Sequence, residues 1–212
     1  MLKHVMRRGA IKPYCGYSLT ELLVACGLAS IVISAVATQA ARSHIAYSSI
    51  QHATSVEDDI RALQSTITQH LSKAGFVYSP NTLSPFGATT IENTIFEVTT
   101  GHRANEPENS CVTFSYDKNK DGVVSQAQGE FFGYRLHDNA IEYRVAGHSC
   151  IQSGWYDLTD TQTTVATKFT VNRRHSSSWG SAYEIEIELH SKVDPTVKSA
   201  RTFIVEAVNA YY

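Results

Sequence analysis

Twenty consecutive residues, LLVACGLASIVISAVATQAA from Leu22 to Ala41, carry no charge. At about 1.5 Å rise per residue a helix of that length covers roughly 30 Å, the thickness of a bilayer's hydrocarbon core. Downstream the apolar positions become periodic. Ile45, Ile50, Ala53, Val56, Ile60, Leu63, Ile67, Leu71 and Ala74 fall mostly three or four residues apart, the spacing of one face of an amphipathic helix. Gly75 then supplies a residue suited to the left-handed conformation that ends helices. One helix is expected over 17–75, membrane-spanning over 22–41 and amphipathic over 42–75. Its second half is expected to pack on a globular domain, with a membrane-proximal coiled coil as the alternative.

Past Gly75 the period changes. Pro80, Pro85 and Gly87 mark a loop before a short run from Ile95 to Thr99. Val112, Phe114 and Tyr116 then alternate with polar neighbours, as do Phe132, Tyr134 and Leu136. His137 to Ala140 reads as a turn into Ile141, Tyr143 and Val145. Val165 to Val171 follows, then Tyr183, Ile185, Ile187 and Leu189 interleaved with Glu184, Glu186 and Glu188, and finally Arg201 to Val208. Period-two alternation with one wet face is the mark of half-buried antiparallel strands. The stretch HSSSWGS, His175 to Ser181, reads as a flexible strand connection, with Trp179 at its tip either anchoring the loop or touching a partner. A helix followed by about six strands is an α+β arrangement, the β-rich domain occupying 76–212.

Charge adds an orientation. Lys3, Arg7, Arg8 and Lys12 precede the apolar run without any acid among the first 16 residues, so the positive-inside rule holds the N-terminus in the cytoplasm and sends everything after Arg42 outward. Over the chain the formal charge is −2, and without those 16 residues 14 basic side chains face 20 acidic ones. That balance argues against a nucleic-acid binder. With 212 residues, 42% of them hydrophobic, the chain supports one globular domain and an extended element.

An ordinary secretory signal places its small residues and cleavage site after the apolar run. Here the anomaly lies in front. Gly16, Tyr17, Ser18, Leu19, Thr20 and Glu21 set a lone carboxylate at the mouth of the run. A charge well inside a bilayer costs about 2.5–3.5 kcal/mol on insertion scales, so an acid there needs a partner or must reach the interface.

GYSLTELL resembles the type IV prepilin motif: glycine, aromatic, Ser or Thr, Leu, any residue, Glu. The resemblance implies a leader over 1–16 cut between Gly16 and Tyr17 by prepilin peptidase, with Tyr17 becoming the N-methylated first residue. It also implies that Glu21 pairs with the N-terminal amine of a neighbouring subunit during filament entry. The physics agrees, since cleavage frees an amine one helical turn before the acid. A plain signal anchor with an incidental Glu is the bland alternative. Tyr stands where Phe is commoner, and no proline interrupts the run, which points to a continuous helix.

The later order of features is similar to PilW and J-type minor pilins: a YDxNxDG turn at Tyr116 to Gly122, an ExxGYRL strand at Glu130 through Leu136, and an IExR strand at Ile141 through Arg144, over about 50 residues. The family likeness implies a non-enzymatic minor pilin that helps initiate or cap type IV pilus assembly. It would lie in the inner membrane and then in the pilus or its tip. Its partners would be other minor pilins, a major pilin, the prepilin peptidase and an inner-membrane assembly platform. Two rivals stand beside it. One is a J-type minor pseudopilin of a type II secretion system, and the other a membrane-anchored, calcium-dependent adhesin.

Candidate chemistry is sparse. Cys15 and Cys26 lie near the N-terminus; Cys111 and Cys150 lie far down the chain, without zinc-like spacing. If exported, the latter two either form a disulfide or stay as buried thiols. Asp117, Asn119, Asp121 and Gly122 copy the first half of a calcium loop, alternate oxygens and a turn glycine wrapping a hard cation. The second half departs, with Gln128 in place of the bidentate Glu and Glu130 two residues further on. The competing reading is a polar hairpin turn. The nine histidines show no ligand spacing, and no GxSxG, Walker or GxGxxG pattern occurs.

Overall fold

A computed structural model of the chain describes residues 16–78, 98–177 and 180–210. The elements are α1 (Leu19–Leu71), β1 (Thr99–Gly101), β2 (Cys111–Ser115), β3 (Phe131–His137), β4 (Ala140–Tyr143), β5 (Tyr156–Asp157), β6 (Thr164–Ser177), β7 (Gly180–Ser191) and β8 (Lys198–Ala207). This is an α+β fold, one long helix followed by a β-rich domain. The leader apart from Gly16, and the expected loop with Pro80, Pro85 and Gly87, lie outside the described residues. Of the run from Ile95, only Val98 and Thr99 are described.

The chain divides after Tyr47 into two units. In the first, α1 carries apolar side chains on every face, and Leu22, Ile31 and Val36 are all exposed. By length and composition this stretch can cross a membrane.

In the second unit the stripe of α1 becomes a core. Val56, Ile60, Leu63, Ile67 and Leu71 are buried and join one cluster with the inner faces of the strands. The burial starts later than the sequence pattern indicates: Ile50 is 65% exposed and Ala53 is exposed too. Burial of the stripe against the strands begins at Val56, and Ile50 and Ala53 stay outside the core cluster. At the other end Gly75 takes φ +80°, and a Cβ there would fall 2.2 Å from the Asn209 carbonyl oxygen. Left-handed backbone and close approach both demand glycine.

The strands form two antiparallel sheets rather than one. Sheet A has the order β1-β2-β3-β4-β5 and sheet B the order β6-β7-β8. Val112, Phe114, Tyr134, Leu136 and Ile141 of sheet A, with Phe169, Val171, Ile185, Ile187, Leu189 and Val205 of sheet B, fill the core. The sheets meet where Ala166 N–H donates to Asn139 C=O (2.8 Å) and Val171 N–H to Asn109 C=O (2.9 Å). HSSSWGS is less loop than its composition indicates. His175, Ser176 and Ser177 pair with Ala182, Ser181 and Gly180, because ladder pairing satisfies the backbone whatever the small polar side chains prefer. Trp179 lies outside the described residues.

Candidate functional site

Three groups of residues carry the sequence-level candidates. The first is the chain around Gly16. Gly16, Tyr17 and Ser18 are non-helical, α1 starting at Leu19. Tyr17 is 90% exposed, and a Cβ added at Gly16 would meet nothing among the described residues within 4 Å. The Gly16–Tyr17 peptide is thus a non-helical link two residues before α1. Ser18 C=O accepts from Leu22 N–H (3.1 Å), the first bond of the helix. Glu21 reaches back, its Oε2 accepting Ser18 N–H at 3.0 Å. Ser18 and Glu21 are therefore the N-cap and N3 residues, the carboxylate making the N3-to-N-cap half of a capping box while the Ser18 hydroxyl pairs with Thr20 Oγ1 (2.9 Å), and the acid stands at the positive end of the helix dipole. Glu21 Oε1 accepts no hydrogen bond from the described residues.

The second group is the turn after β2. Asp117 is buried and acts as its hub: Oδ1 accepts Lys120 N–H (2.6 Å) and Asp121 N–H (3.2 Å), while Oδ2 accepts Gly122 N–H (2.8 Å) and Tyr78 N–H (3.0 Å). Asn119 and Asp121 stand on the same turn. Asn119 Oδ1 accepts Asp121 N–H (3.0 Å), Asp121 Oδ1 accepts Val123 N–H (2.8 Å), and Asn119 Nδ2 donates to Asp121 Oδ2 (2.9 Å). Gln128 closes the ring with a neutral amide, accepting from Asn119 (3.0 Å) and donating to Asp121 (3.0 Å). These bonds hold the Asp121 carboxyl below its usual range. The oxygens that would hold a cation are engaged by N–H groups here, and a cation would require the two amides to turn. Among the described residues no cluster of three or more His, Cys, Asp or Glu is placed to bind a metal.

Glu130 is the residue this turn needed and sequence reasoning treated as a misplaced ligand. It is fully buried and accepts Lys118 N–H (2.8 Å), Asn119 N–H (3.3 Å) and Ser125 N–H (2.8 Å). A second buried carboxylate thus ties both arms of the turn.

The third group surrounds the cysteines. Cys111 and Cys150 are joined by a disulfide, Cα to Cα 6.0 Å. Cys111 lies opposite Arg135 in the ladder, and Arg135 opposite Glu142. The Arg135 guanidinium is 2% exposed. It pairs with Glu142 at 2.5 Å, donates to the carbonyls of Cys150 and Gln152 (2.7 Å each), and stacks 4.5 Å from the Trp155 ring. The loop after β4 is pinned to sheet A by the disulfide, by the Arg135 bonds to two of its carbonyls and by Trp155 stacked on the guanidinium, while the ion pair ties β3 to β4. Sequence periodicity gave no sign of this second, polar core, since Arg135 occupies a position that alternation makes outward-facing.

An apolar cleft of about 410 Å³ lies between α1 and the β3–β4 hairpin, with His70, Phe132, Tyr134 and Tyr143 in its walls.

The family described as prepilin peptidase-dependent protein B matches residues 49–207, from within α1 to the end of β8. Prepilin peptidase-dependent protein B of Escherichia coli (strain K12) is 22% identical over 197 residues, spanning 92% of this chain and 96% of that protein. No solved structure matches. The family match starts downstream of Glu21, so it and the Gly16–Glu21 motif rest on different residues. On that match, over most of its length, the chain belongs to the prepilin peptidase-dependent protein B family.

Proposed function

We propose that this protein is a minor pilin, cut by prepilin peptidase between Gly16 and Tyr17, methylated on Tyr17, and built by its helix into a type IV pilus whose assembly it initiates or caps. The observation that carries the reading is the arrangement at the start of α1: a non-helical Gly16–Tyr17 link with Tyr17 exposed, one acid at N3, and then a helix apolar on all sides. Support of a separate kind comes from the relatives, whose name states dependence on prepilin peptidase.

The mechanism is assembly. Before cleavage the basic leader and the apolar helix keep the protein in the inner membrane with its domain outside. Cleavage creates an amine, and Glu21 Oε1 accepts the amine of a neighbouring subunit while Oε2 keeps its cap. An anion and a cation then leave the interface as a neutral pair inside a bundle of apolar helices. Major pilin, other minor pilins and the inner-membrane platform are the partners of this step, and the β-rich domain faces outward without catalysing a reaction.

Mass spectrometry of the N-terminus, with and without prepilin peptidase, tests the reading. A methylated Tyr17 in the first case and an intact leader in the second are expected; an intact leader in both overturns it. Deletion then separates the two machines. Loss of surface pili fits a pilus component, whereas exoproteins stranded in the periplasm fit a minor pseudopilin.

A further inference from the structure

Sheet edges leave backbone N–H and C=O groups unpaired, and proteins usually shorten, bulge or cover them. Sheet A ends on strands of three and two residues, β1 and β5. In sheet B, β6 is covered, its outward N–H groups at Ala166 and Val171 bonded to Asn139 and Asn109, and it is bulged at Ala166/Lys168 and Arg173/His175. The other edge, β8, pairs with β7 over ten residues without a shift in register.

The phase of that ladder shows which groups are open. Ser191 N–H donates to Val197 C=O at 2.9 Å, so 191/197 is a hydrogen-bonded pair. Stepping by two along the register places Ser199, Arg201, Phe203, Val205 and Ala207 in bonded pairs with β7. The N–H and C=O of Lys198, Ala200, Thr202, Ile204 and Glu206 therefore point away from β7, and among the described residues nothing meets them. The same five side chains are exposed, Ile204 by 60%. Lys198 and Glu206 form no ion pair among the described residues, and the residues between Arg201 and Glu206 hold no charge, proline or glycine to blunt the edge.

We propose that β8 receives an added antiparallel strand from another protein, extending sheet B to four strands. The five open positions define its chemistry: an acidic side chain opposite Lys198, a basic one opposite Glu206, apolar ones opposite Ala200 and Ile204, and a β-branched one opposite Thr202. The charged ends stand roughly 27 Å apart, eight residues at about 3.4 Å each, so they fix both direction and register of the incoming strand. The β8 strand of a second copy meets the same chemistry, but the direction of its helix argues against it as the occupant. α1 runs beside β8 in the same direction, Glu57 taking Ser199 Oγ (2.8 Å), Gln64 taking Arg201 (3.1 Å) and Gly75 lying against Asn209. Antiparallel pairing of two β8 strands would point their helices in opposite directions, which a filament of parallel helices excludes; the choice of occupant rests to that extent on the proposed function.

The test uses the full-length protein in nanodiscs and a fluorescent peptide with the sequence of residues 198–207, which meets the pattern when it lies antiparallel and centred on Thr202. The peptide should bind. Exchanging its lysine and glutamate should weaken it about tenfold, two attractive cross-strand pairs becoming repulsive, and proline at its threonine should abolish binding. The variant Lys198→Glu/Glu206→Lys, altered only at exposed positions, should reverse the preference and take the exchanged peptide. Equal binding of the proline peptide, or an unchanged preference in the double variant, overturns the proposal. Spontaneous cross-linking of Thr202→Cys to itself in the full-length protein would put a second copy on the edge and overturn the stated occupant. Peptide binding does not depend on N-terminal processing, so a retained leader would sink the pilin reading and leave this result standing.

Discussion

His70 on α1 and Tyr134 on β3 meet at 2.6 Å, imidazole Nδ1 to phenolic oxygen. The imidazole sits among rings, its centroid 5.1 Å from Phe132 and 6.4 Å from Tyr116. Burial, with Lys73 and Lys118 nearby, lowers its pKa from the ordinary 6.5, and burial raises that of Tyr134. Both groups are held neutral, and together they form the polar contact between the helix and sheet A.

That contact makes stability depend on pH. The unfolded chain protonates His70 near 6.5, whereas the folded chain resists protonation to a lower pH. Between those values the unfolded state binds more protons, so stability is complete above about 6.5 and declines as pH falls below it. Urea unfolding of the full-length protein at pH 7.5 and 5.5 should show the loss. His70→Phe should flatten this part of the profile, even if it costs absolute stability by leaving the Tyr134 hydroxyl without its partner. A slope unchanged in His70→Phe would assign the effect elsewhere.

Arg135 and Glu142 predict a larger effect. Removing one member of a buried pair leaves an uncompensated charge, typically costing about 3–5 kcal/mol. Glu142→Gln should therefore lower the melting temperature steeply. Arg174→Ala, which removes an exposed pair with Glu184 at 2.7 Å, should cost less than about 1 kcal/mol. Similar losses from both would mean that the Arg135 site is wetter than its burial indicates.

The disulfide can be read in the same way. Cys111 and Cys150 are 39 residues apart, and chain-entropy reasoning values a loop of that size at about 4 kcal/mol. Cys111→Ala/Cys150→Ala should lose most of that in denaturant unfolding. Because the Cys150 carbonyl is one of the Arg135 acceptors, combining this change with Glu142→Gln should be non-additive. Strict additivity would show that the disulfide and the Arg135–Glu142 pair stabilise the domain independently.

These sites also mark how far the sequence could be read. The long helix and the strands around Phe114, Tyr134 and Ile187 follow from apolar period alone, because one buried face imposes it. Periodicity does not say where a helix stops being covered, so Ile50 and Ala53 look the same as Ile60 until the strands are placed. It also hides polar interiors. Arg135, Glu142 and Glu130 occupy positions that alternation assigns to solvent, and they are buried because the loop after β4 folds over the first two and the turn before β3 wraps the third. Gln128 was legible as a departure from a calcium loop, but its role in closing the turn depends on an amide orientation no pattern encodes.

Glu21 offers the sharpest separation of roles. Its carboxylate caps Ser18 N–H at 3.0 Å, and the same group is proposed to meet an amine during assembly. Glutamine at N3 also completes a capping box but brings no charge. Glu21→Gln should keep the helix start and be cut and methylated like the parent, yet enter filaments poorly, because a partner's amine would then be buried unpaired. Glu21→Ala should enter as poorly or worse, having lost the cap as well. A tenfold drop in filament-associated protein corresponds to about 1.4 kcal/mol, well inside the 2.5–3.5 kcal/mol scale of burying a charge in a bilayer, so immunoblots of sheared filaments can detect it. If Glu21→Gln enters normally while Glu21→Ala does not, the acid acts as a cap alone and the amine pairing is refuted.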